Sequence, residues 1–208
     1  MIKQLFSEIE KHLKKDFPEL MGSMNPPTTP EALYKIEKSI GLKLPEAVRQ
    51  LYLTFNGESK GHGLFFGLEF LSLEESVEEW KKMCEVAETY DLDLDDDLEC
   101  YPEGFLKCKT ASKHYFPISH DYSGNYLVVD LDPGQDGKVG QITNCGPDEW
   151  DRFVIAFGIE GFLKFILHHI KEKNYRIDVV DGVKTWFLKE PHNEHFLNTL
   201  GELDLLFK

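Results

Sequence analysis

"HYFPISHDYSGNYLVVDLDPGQDGKVGQIT", residues 114–143, is the stretch on which the fold turns. Three runs that favour extended backbone, HYFPI, GNYLVVDL and GKVGQIT, are separated by Asp, Ser, Gly and Pro, and this alternation predicts three strands in an antiparallel meander. Within it, DLDPGQDGKVGQI (130–142) carries three aspartates and three glycines and invites a cation instead. A calcium loop of the EF-hand type needs oxygen ligands at positions 1, 3 and 5, glycine at 6 and a bidentate glutamate at 12. Counted from Asp130, the fifth residue is Gly134 and the twelfth is Gln141; counted from Asp132, the twelfth is Thr143. Neither register works, so Asp132-Pro133-Gly134 and Asp136-Gly137 are read as turn chemistry.

Outward from the meander, helices are predicted on both sides. Ile2, Leu5, Phe6, Ile9 and Leu13 recur on one helical face of the N-terminal segment, and PELMGSMNPPTTP then has the composition of a linker. Thr29-Pro30 reads as an N-cap and first helical residue, with Leu33, Ile36 and Ile40 inward and Gly41 as the stop. Leu44-Pro45-Glu46 opens a further helix that ends at Asn56-Gly57. GLFFGLEFLSL predicts a strand at about 64–70. Ser72 with Glu75 forms a capping box for a helix running towards Tyr90. After the meander, a helix rich in Phe and Ile is expected at about 159–172. Asp181-Gly182 between alternating runs predicts a type I′ hairpin, and a last helix is expected from about Glu194 to Phe207.

The charge balance narrows the function. With 37 acidic against 23 basic residues the net charge is −14, which repels phosphate backbones and argues against direct nucleic-acid binding. No run of about 18 apolar residues is present, because FVIAFGIEGFLKFIL is broken by Glu160 and Lys164. The first residues carry charges where a secretory signal has an apolar stretch, so a cytoplasmic protein without membrane contact is expected. Cys84, Cys100, Cys108 and Cys145 show no CxxC spacing, and reduced thiols are expected. Between Glu85 and Leu106 lie nine acidic residues and no lysine or arginine, the strongest charge asymmetry in the chain.

Chemistry-bearing motifs are few. DLDLDDDLE spaces Asp91, Asp93 and Asp95 by two, but Asp96 stands where a calcium loop has glycine, and Pro102 where it has its glutamate. His192 with His195 and His168 with His169 lack the three or four converging ligands that zinc needs. GxxxxGK[ST] and GxGxxG are absent from the sequence, and no catalytic residue and no cofactor is assigned. Trp80, Trp150 and Trp186 are read as core anchors.

Several blocks occur together in a recognisable order: LPEAVRQLYLTFNG (44–57), GLEFLSLEESVEEW (67–80), HYFPISHDYSGNYLVVDLDP (114–133), GQI (140–142) and FLKFIL (162–167). In this the chain resembles the SUKH superfamily, named for the Smi/Knr cell-wall-assembly regulators of fungi. The resemblance implies an α+β fold, a single domain with a mostly antiparallel central sheet flanked by helices. The resemblance covers about residues 30–168, and with the linker composition before it the chain is read as an N-terminal helix and linker (1–28), a core (29–173) with an acidic insertion at about 85–106, and a C-terminal hairpin and helix (174–208). It also implies a non-enzymatic protein-binding role. In bacterial members this is that of an immunity protein neutralising a polymorphic toxin, often a nuclease; the alternative is a regulatory scaffold like the fungal members. A cognate toxin with a basic surface is the partner expected on the first reading. Carboxylates then take the place of substrate phosphates, and Asp91, Asp93, Asp95, Asp96, Asp97, Glu99, Asp121 and Tyr122 are the expected partner-binding residues. The family often carries a glycine run before Asn125, where this chain has His120-Asp121-Tyr122-Ser123-Gly124, so the partner expected at that loop is this chain's own.

Overall fold

The structure, a computed structural model, describes residues 1–59, 61–89, 98–191 and 195–206. The predicted meander forms its centre. β3 (Tyr115–His120), β4 (Tyr126–Asp130) and β5 (Gln141–Cys145) pair antiparallel, with Phe116 opposite Val129 and Val129 opposite Ile142. All five residues of β5 are buried, and so are the first five of β3, because helices or loops cover both faces of these central strands.

Two further strands flank the meander. β6 (Asp151–Ala156) pairs antiparallel with β5, and β2 (Glu99–Tyr101) runs parallel to β6 at the far edge. With β1 (Glu69–Phe70) on the other edge, the sheet order is β1-β3-β4-β5-β6-β2, mostly antiparallel. The α+β expectation holds. The strand expected over 64–70 shrinks to β1, because Gly63, Phe66 and Gly67 adopt left-handed φ of 74°, 55° and 94° and fold the segment into a turn. Leu64, Phe65, Phe66 and Leu68 are nonetheless all buried. Their apolar character reflects burial of a turn, not a strand pattern.

Helices α1 (Ile2–Leu13), α2 (Pro18–Gly22), α3 (Pro30–Ile40), α4 (Glu46–Tyr52), α5 (Leu73–Thr89) and α6 (Ile159–Lys171) complete the main body. Thr29 caps α3, its Oγ1 accepting from the Ala32 amide at 3.2 Å, and Gly41 ends it in the left-handed conformation. The Ser72–Glu75 capping box forms in both directions, at 2.8 and 3.2 Å. α1 lays Ile2, Leu5, Phe6, Ile9 and Leu13 into the same apolar cluster as α6 and the sheet. Burial of each such side chain contributes roughly 1.5–3 kcal/mol.

The hairpin of β7 (Tyr175–Val180) and β8 (Val183–Leu188) turns at Asp181-Gly182, both at positive φ, as a type I′ turn requires. It delivers Trp186 into the core, where the ring lies 4.6 Å from Phe66 and its indole N–H donates to the Gly63 carbonyl. Phe196 also packs on Phe66, with ring centroids 5.4 Å apart. The closing helix is a 3-10 helix, Phe196–Glu202, shorter than the one expected. Gly201 weakens its last turn, and Leu206 leaves the helical direction to donate its amide to Ile155 in β6. Among the described residues no helix is long and apolar enough to cross a membrane.

The cysteine expectation is corrected. Cys100 and Cys108 form a disulfide, with Cα atoms 5.8 Å apart, while Cys84 and Cys145 are free thiols. Sequence spacing could not show that the chain leaving β2 comes back alongside it, as the approach of the Cys108 sulfur to the Leu98 carbonyl records. The tryptophan expectation is corrected in part. Trp186 is core, Trp80 is half-buried with its indole N–H on the Lys113 carbonyl, and Trp150 is 58% exposed.

Candidate functional site

The β3–β4 turn and the β5–β6 turn lie side by side at one end of the sheet. Asp121 organises the first: one carboxylate oxygen accepts from the amides of Ser123 and Asn125 at 2.7 and 3.0 Å, and the other from the Asn125 side chain at 2.8 Å. Tyr122 and Gly124 take left-handed φ of 65° and 98° to close it. Asn125 then ties this turn to the next, donating to Asp148 and accepting from the Asp148 amide, both at 3.2 Å. The approach is so close that a Cβ on Gly146 would sit 2.3 Å from the Asn125 side-chain oxygen.

Asn144 fixes the second turn from inside. Its amide nitrogen donates to the Glu149 carboxylate and to the Asp151 carbonyl, and its oxygen accepts from the Phe153 amide at 2.7 Å. Burial pushes the Glu149 carboxyl above the usual range, against the pull of Asn144 and Arg152. The chain leaves this turn with Trp150 turned out to solvent and Arg152 turned in.

Between these turns, the second half of α5 and the segment at 110–111 lies a cleft of about 460 Å3. Met83 and Val86 of α5, Leu98, Ala111, Cys145, Pro147 and Trp150 give it apolar walls. Tyr126 also lines it, with its hydroxyl donating to Glu79, which in turn pairs with Lys82 at 2.8 Å. Arg152 forms part of the wall and is 2% exposed. Its Nη2 donates to the carbonyls of Thr110 and Gly146 at 3.4 and 3.2 Å, whereas its Nε and Nη1 have no hydrogen-bond partner among the described residues. A mostly apolar cleft with a few convergent polar groups is the usual form of a ligand or peptide site.

The expected partner-binding residues fall in three places. Asp91, Asp93, Asp95, Asp96 and Asp97 lie outside the described residues. Glu99 is exposed on β2, accepts from the Tyr101 hydroxyl, and stands opposite Asp151 beside the cleft. Asp121 has its carboxylate engaged by its own turn, with a side chain only 7% exposed, so it shapes the loop. Tyr122 is 69% exposed and packs its ring, tilted by 46°, against His120 at 4.3 Å, a position open to a partner. Sequence reading missed Arg152 and Trp150 as site residues, because nothing local distinguishes them from an ordinary strand arginine and a core tryptophan.

The histidines are placed by packing. His169 is buried against Phe66 and Phe165, and burial pushes its pKa down to about 4, so the ring is neutral. His195 stands 4.0 Å from Asp121, and His192 lies outside the described residues. In the 130–142 stretch, the first residues in question, Asp130 accepts from the Asp132 amide and from Gln141, both at 3.0 Å, which makes it the cap of a turn.

A six-stranded, mostly antiparallel sheet with helices packed around it and a cleft at the end of its turns defines an α+β domain of the SUKH type. The chain belongs to the SMI1 / KNR4 family (SUKH-1), whose model matches residues 27–164. It is similar to the "Cell wall biosynthesis/cell cycle regulator smi1" of Schizosaccharomyces pombe, at 24% identity over 87% of this chain and 38% of that protein. It is also similar to the "Glucan synthesis regulatory protein" of Neurospora crassa, at 24% identity over 91% of this chain and 40% of that protein. A third relative is the "Cell wall assembly regulator SMI1" of Saccharomyces cerevisiae, at 23% identity over 92% of this chain and 42% of that protein. The chain spans about two fifths of the length of these curated relatives.

Proposed function

We propose that the chain is a non-enzymatic, protein-binding regulatory domain of the kind its fungal relatives are named for, and that the cleft beside Trp150 is its partner surface. Of the two roles implied by the SUKH resemblance, the regulatory one has the better support. The relatives named above are described by cell-wall and glucan-synthesis regulation and carry no mention of a toxin. The observation that carries the reading is the exposed indole of Trp150 on the rim of a mostly apolar cleft. Tryptophan so placed is the residue type that anchors interfaces, because it removes a large apolar area from water at little entropic cost.

The charge of −14 and the acidic run at 91–97 fit a partner with a basic surface, drawn in by long-range attraction and released more easily as salt rises. The reading calls for no cofactor, nucleic acid or membrane, and takes the cytoplasm as its compartment. Affinity capture with the full chain and with Trp150→Ala, run in parallel at about 0.15 M salt, tests it. One protein recovered with the first and lost with the second is expected; equal recovery by both would overturn the assignment to the cleft.

A further inference from the structure

Arg152 is the group in the cleft that the fold leaves unfinished. A guanidinium has five N–H bonds to place, and buried arginine is ordinarily paired with a carboxylate. Here Nη2 makes two long contacts to carbonyls, and the three N–H bonds on Nε and Nη1 meet no acceptor among the described residues. The nearby carboxylate of Glu149 is held instead by Asn144. Among the described residues, the fold thus brings a buried positive charge to an apolar wall with Glu149 within electrostatic reach and no carboxylate hydrogen-bonded to it.

The surroundings restrict what that anion can be. A phosphate or other polyanion would meet Glu149 in the wall and a chain of net charge −14, with the Arg152 guanidinium to offset both and Lys82 already paired with Glu79. A monoanion on an apolar carrier fits better, since the same pocket offers Met83, Val86, Leu98 and Trp150 to the carrier. The outer rim has the opposite sign: Asp148, Asp151 and Glu99 are exposed beside it. One buried guanidinium without a carboxylate bonded to it inside, and several negative groups outside, match a chain end with a carboxylate at its tip and basic residues behind it.

Resting on the protein-binding reading above, we propose that the cleft seats the free C-terminus of a partner polypeptide. Its terminal carboxylate bonds Arg152, its apolar last side chains fill the space between α5 and Trp150, and basic residues upstream face Asp148, Asp151 and Glu99. The carboxylate completes the hydrogen bonding of a buried guanidinium, so an end lacking the charge leaves the same groups unpaired and binds much more weakly. Specificity for a chain end over an internal segment follows from that difference.

The test is a titration of the full chain, followed by the NMR shifts of the Trp150 indole and the Gly146 amide. The probes are N-acetyl-Lys-Lys-Gly-Leu-Phe with a free carboxylate and the same peptide as its amide, at about 0.15 M salt. The acid is expected to bind at least about tenfold more tightly than the amide, with shifts centred on the cleft. In Arg152→Met the acid is expected to fall to the affinity of the amide, with a melting curve confirming the fold; should that variant not fold, the acid–amide comparison on the native chain decides alone. Equal binding of acid and amide, shifts centred on the β7–β8 hairpin, or no shifts at about 1 mM peptide would each overturn the proposal. So would hexanoate binding as tightly as the peptide, because a small acid would then suffice. A whole partner captured by the native chain and not displaced by the acid peptide would overturn this inference and leave the protein-binding reading standing. Peptide binding with no partner captured would do the reverse.

Discussion

The β4–β5 connection and the turns around the cleft are both built on Asp, Gly and Pro, and one is closed where the other stays open. In the first, Gly134 and Gly137 lie so near residues 104–105 that a Cβ would sit 2.2 and 2.3 Å from the carbonyl oxygens of Gly104 and Phe105. Gly134 donates its amide to Phe105 at 3.0 Å, Gln141 bridges Phe105 and Asp130, and Lys107 pairs with Asp132. Every polar group named there is satisfied within the chain. Around the cleft, Asp121, Asn125 and Asn144 are equally well bonded, yet Arg152 keeps unpaired donors and Trp150 faces water. Polar residues at a turn therefore say little about function until it is known which of their bonds the fold itself completes.

Breaking the closed side should have the largest effect. Gly134→Ala drives a methyl group into a backbone carbonyl that cannot rotate away, and should cost about 3 kcal/mol of stability by urea unfolding. A loss below about 1 kcal/mol would show that the connection is looser than its contacts indicate.

The next effect depends on pH. Burial raises the Asp130 carboxyl to about 6, above its ordinary value, despite the bonds from Asp132 and Gln141 that favour the anion. The folded state therefore holds this proton more tightly than the unfolded chain does. The stabilisation is present below about pH 4 and lost as pH rises through about 6. Asp130→Asn cannot lose it, so between pH 4 and 7 the variant should gain on the native chain by roughly 2 kcal/mol, whatever its offset at the lower pH. Parallel unfolding curves at the two pH values would contradict the assignment.

On the open side the effects on stability are smaller. Asn125→Ala removes the tie between the two turns and should cost about 1–2 kcal/mol, with broadened NMR lines confined to residues 121–125 and 146–149. Trp150→Ala should change stability by less than about 0.5 kcal/mol, since the ring is mostly exposed, while reducing capture of the partner. A large stability loss at Trp150 would make it a packing residue after all.

The sheet's centre was legible in sequence because period-two runs of Tyr, Phe, Val and Ile between turn residues leave few alternatives, and β3, β4 and β5 fall where those runs predict. β6 was not, because its apolar run merges with that of α6 and only Gly158, at φ 147°, separates them. β2 was invisible for a different reason: three residues paired in parallel with a partner some fifty positions away leave no local pattern. The candidate site was half legible. The turn at Asp121 and Gly124 announced itself through residue type, but the burial of Arg152 arises from Thr110, Gly146 and α5 meeting in space.

Photo-crosslinking would test most directly that the cleft, and not another face, meets the partner. A benzophenone amino acid placed at Lys82, which lines the cleft and leaves Trp150 intact, and, in a separate sample, at the exposed Val179 of the β7–β8 hairpin would compare the two surfaces in cells that make the protein. A single crosslinked protein from position 82 and none from position 179 is the predicted result; the same protein crosslinked only from 179, or no protein from 82, would contradict it.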